Sequence, residues 1–213
     1  MLSTYTENWL NDYIANRYPN QLAPLRHAYE IAAAARQSKQ LPPQEAEQLY
    51  QYACDKRSIL ANNAGDLLGK LAKTFPAARA QLERMAADSK AAVRLQAVLS
   101  LAHLPLDDGI AALLCAALRD RSSQVRSAAA IQIVSREAKN LAEPLAQAAR
   151  QEKNADNQRF MQEQLDCLQQ GYSIAHETDG SITVCFGGDM YKTYADQAEF
   201  DNCFAEDLAD FQD

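Results

Sequence analysis

The sequence predicts a mostly α-helical protein, in which stacked helical repeats are followed by a small β sheet and a final helix. Two observations predict this fold class. Within residues 88–134 one pattern of residues occurs twice, displaced by 32 positions, and self-similarity at such a period is typical of helical-repeat arrays. After Gly171 the hydrophobic period changes from about 3.6 to 2, which is the change from helix to strand.

Each copy of the pattern places an acid, a Val-Arg pair and small or aliphatic residues at fixed distances. The first copy has them at Asp88, Val93, Arg94, Ala97, Val98 and Leu101. The second has them at Asp120, Val125, Arg126, Ala129, Ala130 and Ile133. A degenerate third copy is expected at an offset of 33, with Arg159 matching Arg126 and Lys153 in the place of the acid, because terminal repeats are often atypical.

Prolines and apolar periodicity divide the chain before Gly171 into helices. A first amphipathic helix over 5–18 carries Trp9, Leu10, Tyr13, Ile14 and Tyr18 on one face, and it ends before Pro19. Further helices are predicted at 22–37, 44–54, 58–73, 76–87, 90–104, 109–119, 123–137 and 144–150, with apolar Phe160, Leu165 and Leu168 beyond them. We therefore expect a repeat array over 1–170, clearest over 76–170, and a separate C-terminal part over 171–213.

The C-terminal part begins with two alternating runs, 172–177 and 181–186, on either side of Thr178-Asp179-Gly180. Asp-Gly between alternating runs predicts a β hairpin. A second turn is expected at 187–189 and a third, short strand at 190–194. Asp196 and Glu199 form a capping pair for a final helix that carries Phe200, Cys203, Phe204, Leu208 and Phe211 on one face. This sheet and helix are expected to cap the array.

The charge of the chain is concentrated at its C-terminal end. Residues 189–213 contain eight acids and the single base Lys192. Their formal charge is therefore −7, which equals the formal charge of the whole chain. An acidic end on a neutral body disfavours a nucleic-acid binder and favours a basic protein partner. A solvated acidic helix that serves solubility is the alternative.

Other features bound the location and the chemistry. The sequence contains no membrane span and no secretion signal, and its five scattered cysteines are typical of reduced thiols in a cytoplasmic protein. The histidines His27, His103 and His176 lack a second metal ligand at metal-binding spacing. Cys115 and Cys167 lie among apolar helix positions, as structural thiols do. We therefore expect no enzyme, no metal and no cofactor.

The acid and arginine on either side of a turn, followed by Val-Arg-x-x-Ala-Ala-x-x-Leu/Ile, resemble the HEAT-repeat family in its short bacterial form. The resemblance is strong over 88–134 and fair over 76–170. It implies a right-handed α-solenoid of antiparallel helix pairs whose second helices line a concave surface. It also implies that Asp88, Arg94, Asp120 and Arg126 form a structural ladder between turns. The family is a binding scaffold with many uses, so the fold alone implies no particular function.

A candidate partner surface follows from the helical wheel. With Val93, Ala97 and Leu101 pointing inward, the residues predicted to point outward on the first copy are Leu95, Gln96, Leu99 and His103. The same positions of the second copy are Ser127, Ala128, Ile131 and Ser135. From the acidic end we add Asp201, Glu206, Asp207 and Asp210. Packing of the outward leucines against a neighbouring helix or the terminal sheet is the alternative.

These observations favour a non-catalytic protein-binding scaffold. Its most concrete form is a bacterial, cytoplasmic immunity protein or antitoxin that occludes a basic toxin domain. An adaptor or assembly chaperone would present the same features. The competing class is a HEAT-like enzyme or accessory, such as a bilin lyase or a DNA base-excision protein, and the latter would need a basic, aromatic-lined groove.

Overall fold

The computed structural model describes residues 2–186 and 190–212. It is mostly helical, with one three-stranded antiparallel sheet. The chain forms two compact units, Met1–Leu113 (unit 1) and Leu114–Asp213 (unit 2). The sequence predicts a division near residue 170, where helices give way to strands, and that division stays a prediction. No helix among the described residues is long and apolar enough to cross a membrane.

Unit 1 consists of helices and short helical turns. In chain order they are α1 (Thr4–Asn8), a π-helical turn (Trp9–Ile14), α2 (Ala15–Arg17), α3 (Pro19–Ser38), α4 (Pro43–Ala53), α5 (Ser58–Ala72), α6 (Pro76–Ala86), α7 (Ala91–Ser100), a 3-10 turn (Leu101–His103) and the start of α8 (Asp108–Ala117). Helices α4 to α7 pack in succession, and α5 also packs directly against α7. Helix α7 stops earlier than predicted because Leu104, which precedes Pro105, is held in an extended conformation.

The N-terminal helix differs from the single amphipathic helix that the sequence predicts. A π-helical turn at Trp9–Ile14 interrupts it, and its i→i+5 hydrogen bonds place more residues in each turn than an α-helix has. Leu10 and Ile14 are therefore fully buried, whereas Tyr13 of the predicted face is exposed. Pro19 ends this segment as predicted, and it also begins α3, because the first helical position needs no N–H.

The predicted inner face of the repeats is confirmed. Its members are all buried: Val93, Ala97, Leu101, Val125, Ala129 and Ile133. Burial of a valine, leucine or isoleucine side chain contributes about 1.5–3 kcal/mol, so this face supplies much of the packing that fixes α7 and α9 (Ser123–Val134).

The acid of the repeat recurs more often than the sequence pattern indicated. Asp55, Asp88, Asp120 and Glu152 are spaced by 33, 32 and 32 residues. Each accepts the backbone N–H two residues later, at 2.7–3.0 Å, which is a local turn-forming bond. Each also lies three residues before the first residue of a helix, namely α5, α7, α9 and α11 (Ala155–Gln170). The prediction that Lys153 replaces the acid is therefore wrong, since Glu152 takes that place.

Unit 2 contains the end of α8, three further helices, the sheet and the last helix. Their bounds are α9 as above, a 3-10 turn (Lys139–Leu141), α10 (Ala142–Gln151), α11, β1 (Ser173–His176), β2 (Ile182–Cys185), β3 (Tyr191–Tyr194) and α12 (Gln197–Gln212). Helix α11 packs against α9, α10 and β1. Helix α10 begins two residues before Pro144, because proline is also tolerated within the first turn.

The predicted hairpin and third strand are confirmed. In the order β1-β2-β3 the strands are antiparallel, with Ile174 opposite Val184 and Thr183 opposite Thr193. Gly180 has a φ of 90°, the left-handed conformation that closes a three-residue hairpin loop. The second predicted turn, at 187–189, lies outside the described residues.

The predicted capping pair of the last helix is also confirmed. The Glu199 N–H donates to Asp196 Oδ1 at 2.9 Å, and Glu199 Oε2 accepts the N–H of Ala195 at 2.6 Å. Helix α12 packs on the sheet through Phe200, Cys203, Phe204 and Leu208, against Ile182, Val184, Phe186 and Tyr194. The rings of Phe200 and Phe204 stack with centroids 4.7 Å apart.

Candidate partner-binding surfaces

The candidate residues on α7 divide into exposed and buried ones. Leu99 is 46% exposed, whereas Leu95 is half-buried. Gln96, predicted to point outward, is buried, so this part of the prediction is wrong. Leu99 is therefore the apolar residue of this helix that a partner could cover.

Gln96 is buried because two glycines let α5 approach α7 closely. Cβ atoms built on Gly65 and Gly69 would come within 2.5 Å of the Gln96 side chain and the Ser100 carbonyl oxygen, respectively. The Gln96 side chain donates to Ser100 Oγ at 3.4 Å and to the Asn62 carbonyl at 3.5 Å. The Gly-x-x-x-Gly spacing of Gly65 and Gly69 is a sequence signal for this close contact. The helical wheel of α7 does not show it, because both glycines lie on α5.

His103 belongs to a charged cluster on the α5–α7 face of unit 1. Its Nε2 lies 2.6 Å from Asp66 Oδ1, and Lys70 Nζ lies 2.7 Å from Asp66 Oδ2. The cluster is partly exposed, so its groups are accessible to a partner. The sequence named His103 but gave no indication of Asp66 or Lys70, since their meeting depends on the packing of α5 against α7.

A cleft of about 600 Å³ adjoins this cluster through Lys70. Its lining comprises Leu2, Ser3, Thr6, Tyr29, Ala32, Ala33, Arg36, Gln37, Leu67 and Lys70. Four of its lining residues are aliphatic and the other six carry hydrogen-bond donors, and burial raises the pKa of the Tyr29 phenol. A partner's polar side chain with an apolar stem would fit such a lining.

The candidate residues of the second copy, on α9 and just after it, also divide into exposed and buried ones. Ile131 is 39% exposed and Ser135 is exposed. Ala128, predicted to point outward, is buried, and Ser127 is hydrogen-bonded to Asn157 of α11. Because Ile131 is displaced from Leu99 by 32 residues, the same repeat position carries an exposed apolar residue in both copies.

The acidic candidates on α12 also divide. Asp201, Glu206 and Asp210 are exposed. Asp207 instead accepts Lys192 Nζ at 2.5 Å and the Tyr194 hydroxyl at 2.7 Å, and Lys192 holds its pKa below the usual range. Asp207 therefore fixes α12 to β3, a tertiary contact that the sequence did not indicate.

The arginines of the repeat make backbone and ionic contacts. Arg94 Nη1 donates to the carbonyl of Asp88 at 2.9 Å, and Arg126 Nη1 donates to that of Asp120 at 2.6 Å. Arg126 also binds Glu152 through Nε and Nη2, at 2.7 and 2.6 Å. These contacts hold both arginines within the fold. Arg159, the predicted third arginine, is exposed and lies 3.7 Å from Glu163 of its own helix.

Glu152 should make the stability of unit 2 depend on acidity. Burial alone would raise its pKa, but hydrogen bonds from the Asn154 amide and from Arg126 and Asn157 outweigh this and lower the pKa from 4.5 to about 2. The resulting stability is present above pH 4.5 and is lost as the pH falls towards 2. Over this interval the loss should be on the order of 3 kcal/mol.

A matched variant isolates this carboxylate from the other acids. Glu152→Gln keeps the shape and removes the titration, so we expect its unfolding free energy to fall less between these pH values than that of the wild type. Chemical denaturation at a series of pH values measures both curves. Parallel curves would show that the titration of Glu152 does not cause the predicted loss of stability at low pH.

Among the described residues, no group of three or more His, Cys, Asp or Glu side chains is arranged to hold a metal ion. All five cysteines are free thiols, and those of Cys167 and Cys185 are buried. No protein-family model matches the chain, and no curated protein is significantly similar to it in sequence.

Proposed function

We propose that this chain is a HEAT-like helical-repeat protein, a right-handed α-solenoid, that binds another protein without catalysing a reaction. In its most concrete form it is a bacterial, cytoplasmic immunity protein or antitoxin that covers a basic toxin domain. An adaptor or assembly chaperone of the same build would use the same surfaces. Its partner would then not be toxic.

The observation that carries this proposal is the exposure of Leu99 and Ile131. Both occupy the same position of the repeat, next to positions that are buried in both copies. Large exposed apolar side chains become binding anchors when a partner excludes water from them. Because this repeat position is exposed and apolar in each unit, we take the two residues as binding residues and not as incidental exposure.

The charge of α12 supports a basic partner. Asp201, Glu206 and Asp210 are exposed, while Lys192, the one base within 189–213, is bound to Asp207. A field of one sign accelerates encounter with a partner of the opposite sign and fixes its orientation. The proposed mechanism is occlusion, with the acids steering the encounter and the apolar residues anchoring the complex.

Replacing both anchors with glutamate should abolish partner capture. We expect tagged Leu99→Glu/Ile131→Glu protein, expressed in native cells, to lose a protein that the wild type enriches, because each substitution would place a charge in a desolvated contact. A matched control, Ala80→Glu/Gln147→Glu, adds the same charge at exposed positions of α6 and α10 and should retain the partner. Quantitative mass spectrometry of the captured proteins measures the difference.

Equal capture by all three proteins, or by none, would contradict the proposal. The immunity version has a further requirement. Expression of the captured protein alone should arrest growth, and co-expression with this chain should restore it. A partner that is neither basic nor toxic would remove the immunity version and leave the binding scaffold in place.

A further inference from the structure

A polar cleft lies in unit 2 between the loop after α8 and the loop after α10. Its volume is about 560 Å³, within the range of small-molecule sites. Its lining comprises Leu118, Arg119, Asp120, Arg121, Ser123, Arg126, Ala148, Gln151, Glu152, Lys153 and Asn154. Four of these side chains are basic and two are acidic.

The two acids of the cleft are already occupied. Glu152 is 1% exposed and is neutralised by Arg126, and it also accepts the N–H groups of Lys153 and Asn154. Asp120 accepts the N–H of Ser122 at 2.7 Å. Because four basic side chains outnumber these two acids, and those of Arg119, Arg121 and Lys153 are exposed, the surface of the cleft is positive, although unit 2 as a whole is acidic.

Arg126 is a preoriented donor in this lining. Its three contacts, two to Glu152 and one to the Asp120 carbonyl, fix the guanidinium. Nη1 and Nη2 each carry a second N–H that none of these bonds uses. The side chain remains 17% exposed and lines the cleft. A planar guanidinium held in place loses little further freedom when it binds an anion.

We propose that this cleft binds a small phosphate-bearing anion, either free phosphate or a phosphate monoester. A tetrahedral dianion can accept bonds from several donors at once, which suits an oriented arginine beside Arg119 and Lys153. None of the described lining residues is aromatic, so the lining offers no ring on which a nucleobase would stack. This inference is independent of the proposed protein partner.

Calorimetric titration of the full-length protein tests the site with inorganic phosphate and with glycerol 3-phosphate. The reference titration uses sodium chloride at matched ionic strength. We expect saturable binding of a phosphate species with a stoichiometry of one. Arg119→Gln and Lys153→Gln should each weaken it about tenfold, the loss of roughly one charge-assisted hydrogen bond.

The control variant is Arg159→Gln, which removes an exposed cation of unit 2 outside the cleft and should leave the affinity unchanged. Binding of phosphate alone or of the ester as well would support the site and distinguish its ligand. No saturable heat with either compound, or an equal loss in the Arg159→Gln control, would overturn the proposal. Because Arg119 and Lys153 are exposed, their substitution should leave thermal unfolding in chloride unchanged.

Discussion

Replacement of Arg126 with alanine should lower the free energy of unfolding of unit 2 by about 3–5 kcal/mol, the cost of breaking a buried ion pair from one side. The variant leaves the Glu152 carboxylate, which is 1% exposed, without the two hydrogen bonds that it accepts from the Arg126 guanidinium. It also removes the bond to the Asp120 carbonyl. Chemical denaturation followed by circular dichroism measures the loss.

Two further variants separate this effect from general damage. Arg159→Ala removes an arginine that is exposed and 3.7 Å from its acid, and it should change stability by less than about 1 kcal/mol. Arg126→Leu/Glu152→Leu removes both charges and should recover much of the loss, because no buried charge then lacks a partner. If Arg126→Ala and Arg159→Ala were equally stable, the structural role of Arg126 would be wrong.

Replacement of Gly69 with alanine should destabilise unit 1 by about 1–3 kcal/mol through overpacking, and by more if α5 and α7 separate. The added Cβ would lie 2.5 Å from the Ser100 carbonyl oxygen. Backbone atoms of α7 cannot move aside without displacing the helix. Thermal and chemical unfolding of the purified variant measure the effect.

Gly65→Ala is the matched control at the same helix crossing. There the added Cβ would meet the Gln96 side chain, which can adopt another rotamer, so the loss should be smaller than for Gly69→Ala. Gly65→Ala/Gln96→Ala should reduce the loss further, since it removes the clash. A larger loss for Gly65→Ala than for Gly69→Ala would show that the backbone contact does not set the helix spacing.

The sequence alone predicts the parts of this fold that depend on local pattern. The buried positions Val93, Ala97 and Leu101 follow from helical periodicity, and the hairpin follows from Asp179-Gly180 between alternating runs. The exposure of Leu99 and Ile131 follows from the same wheel. The identity of the partner does not follow from the sequence, because an exposed leucine has the same local sequence pattern inside a binding surface as outside one.

Predictions went wrong where a contact joins segments that are distant in the chain. Gln96 is buried because α5 approaches through glycines that the wheel of α7 does not contain. Glu152 does not follow from the third copy of the pattern, because Arg126 and Arg159 are 33 residues apart whereas the acids Asp120 and Glu152 are 32 apart. Asp207 carries the same charge as its exposed neighbours. It differs from them only because Lys192 and Tyr194 of β3 lie within hydrogen-bond distance of its carboxylate.

Buried repeat contacts such as that of Arg126 should stabilise the fold, and exposed residues such as Ile131 should bind the partner. Partner capture per folded molecule, measured for Arg126→Ala and Ile131→Glu at a temperature where both are folded, tests this assignment of roles most directly. We predict that Arg126→Ala captures as much partner as the wild type despite its lower stability. Ile131→Glu should capture much less at unchanged stability. Loss of capture in Arg126→Ala together with full capture by Ile131→Glu would contradict this assignment.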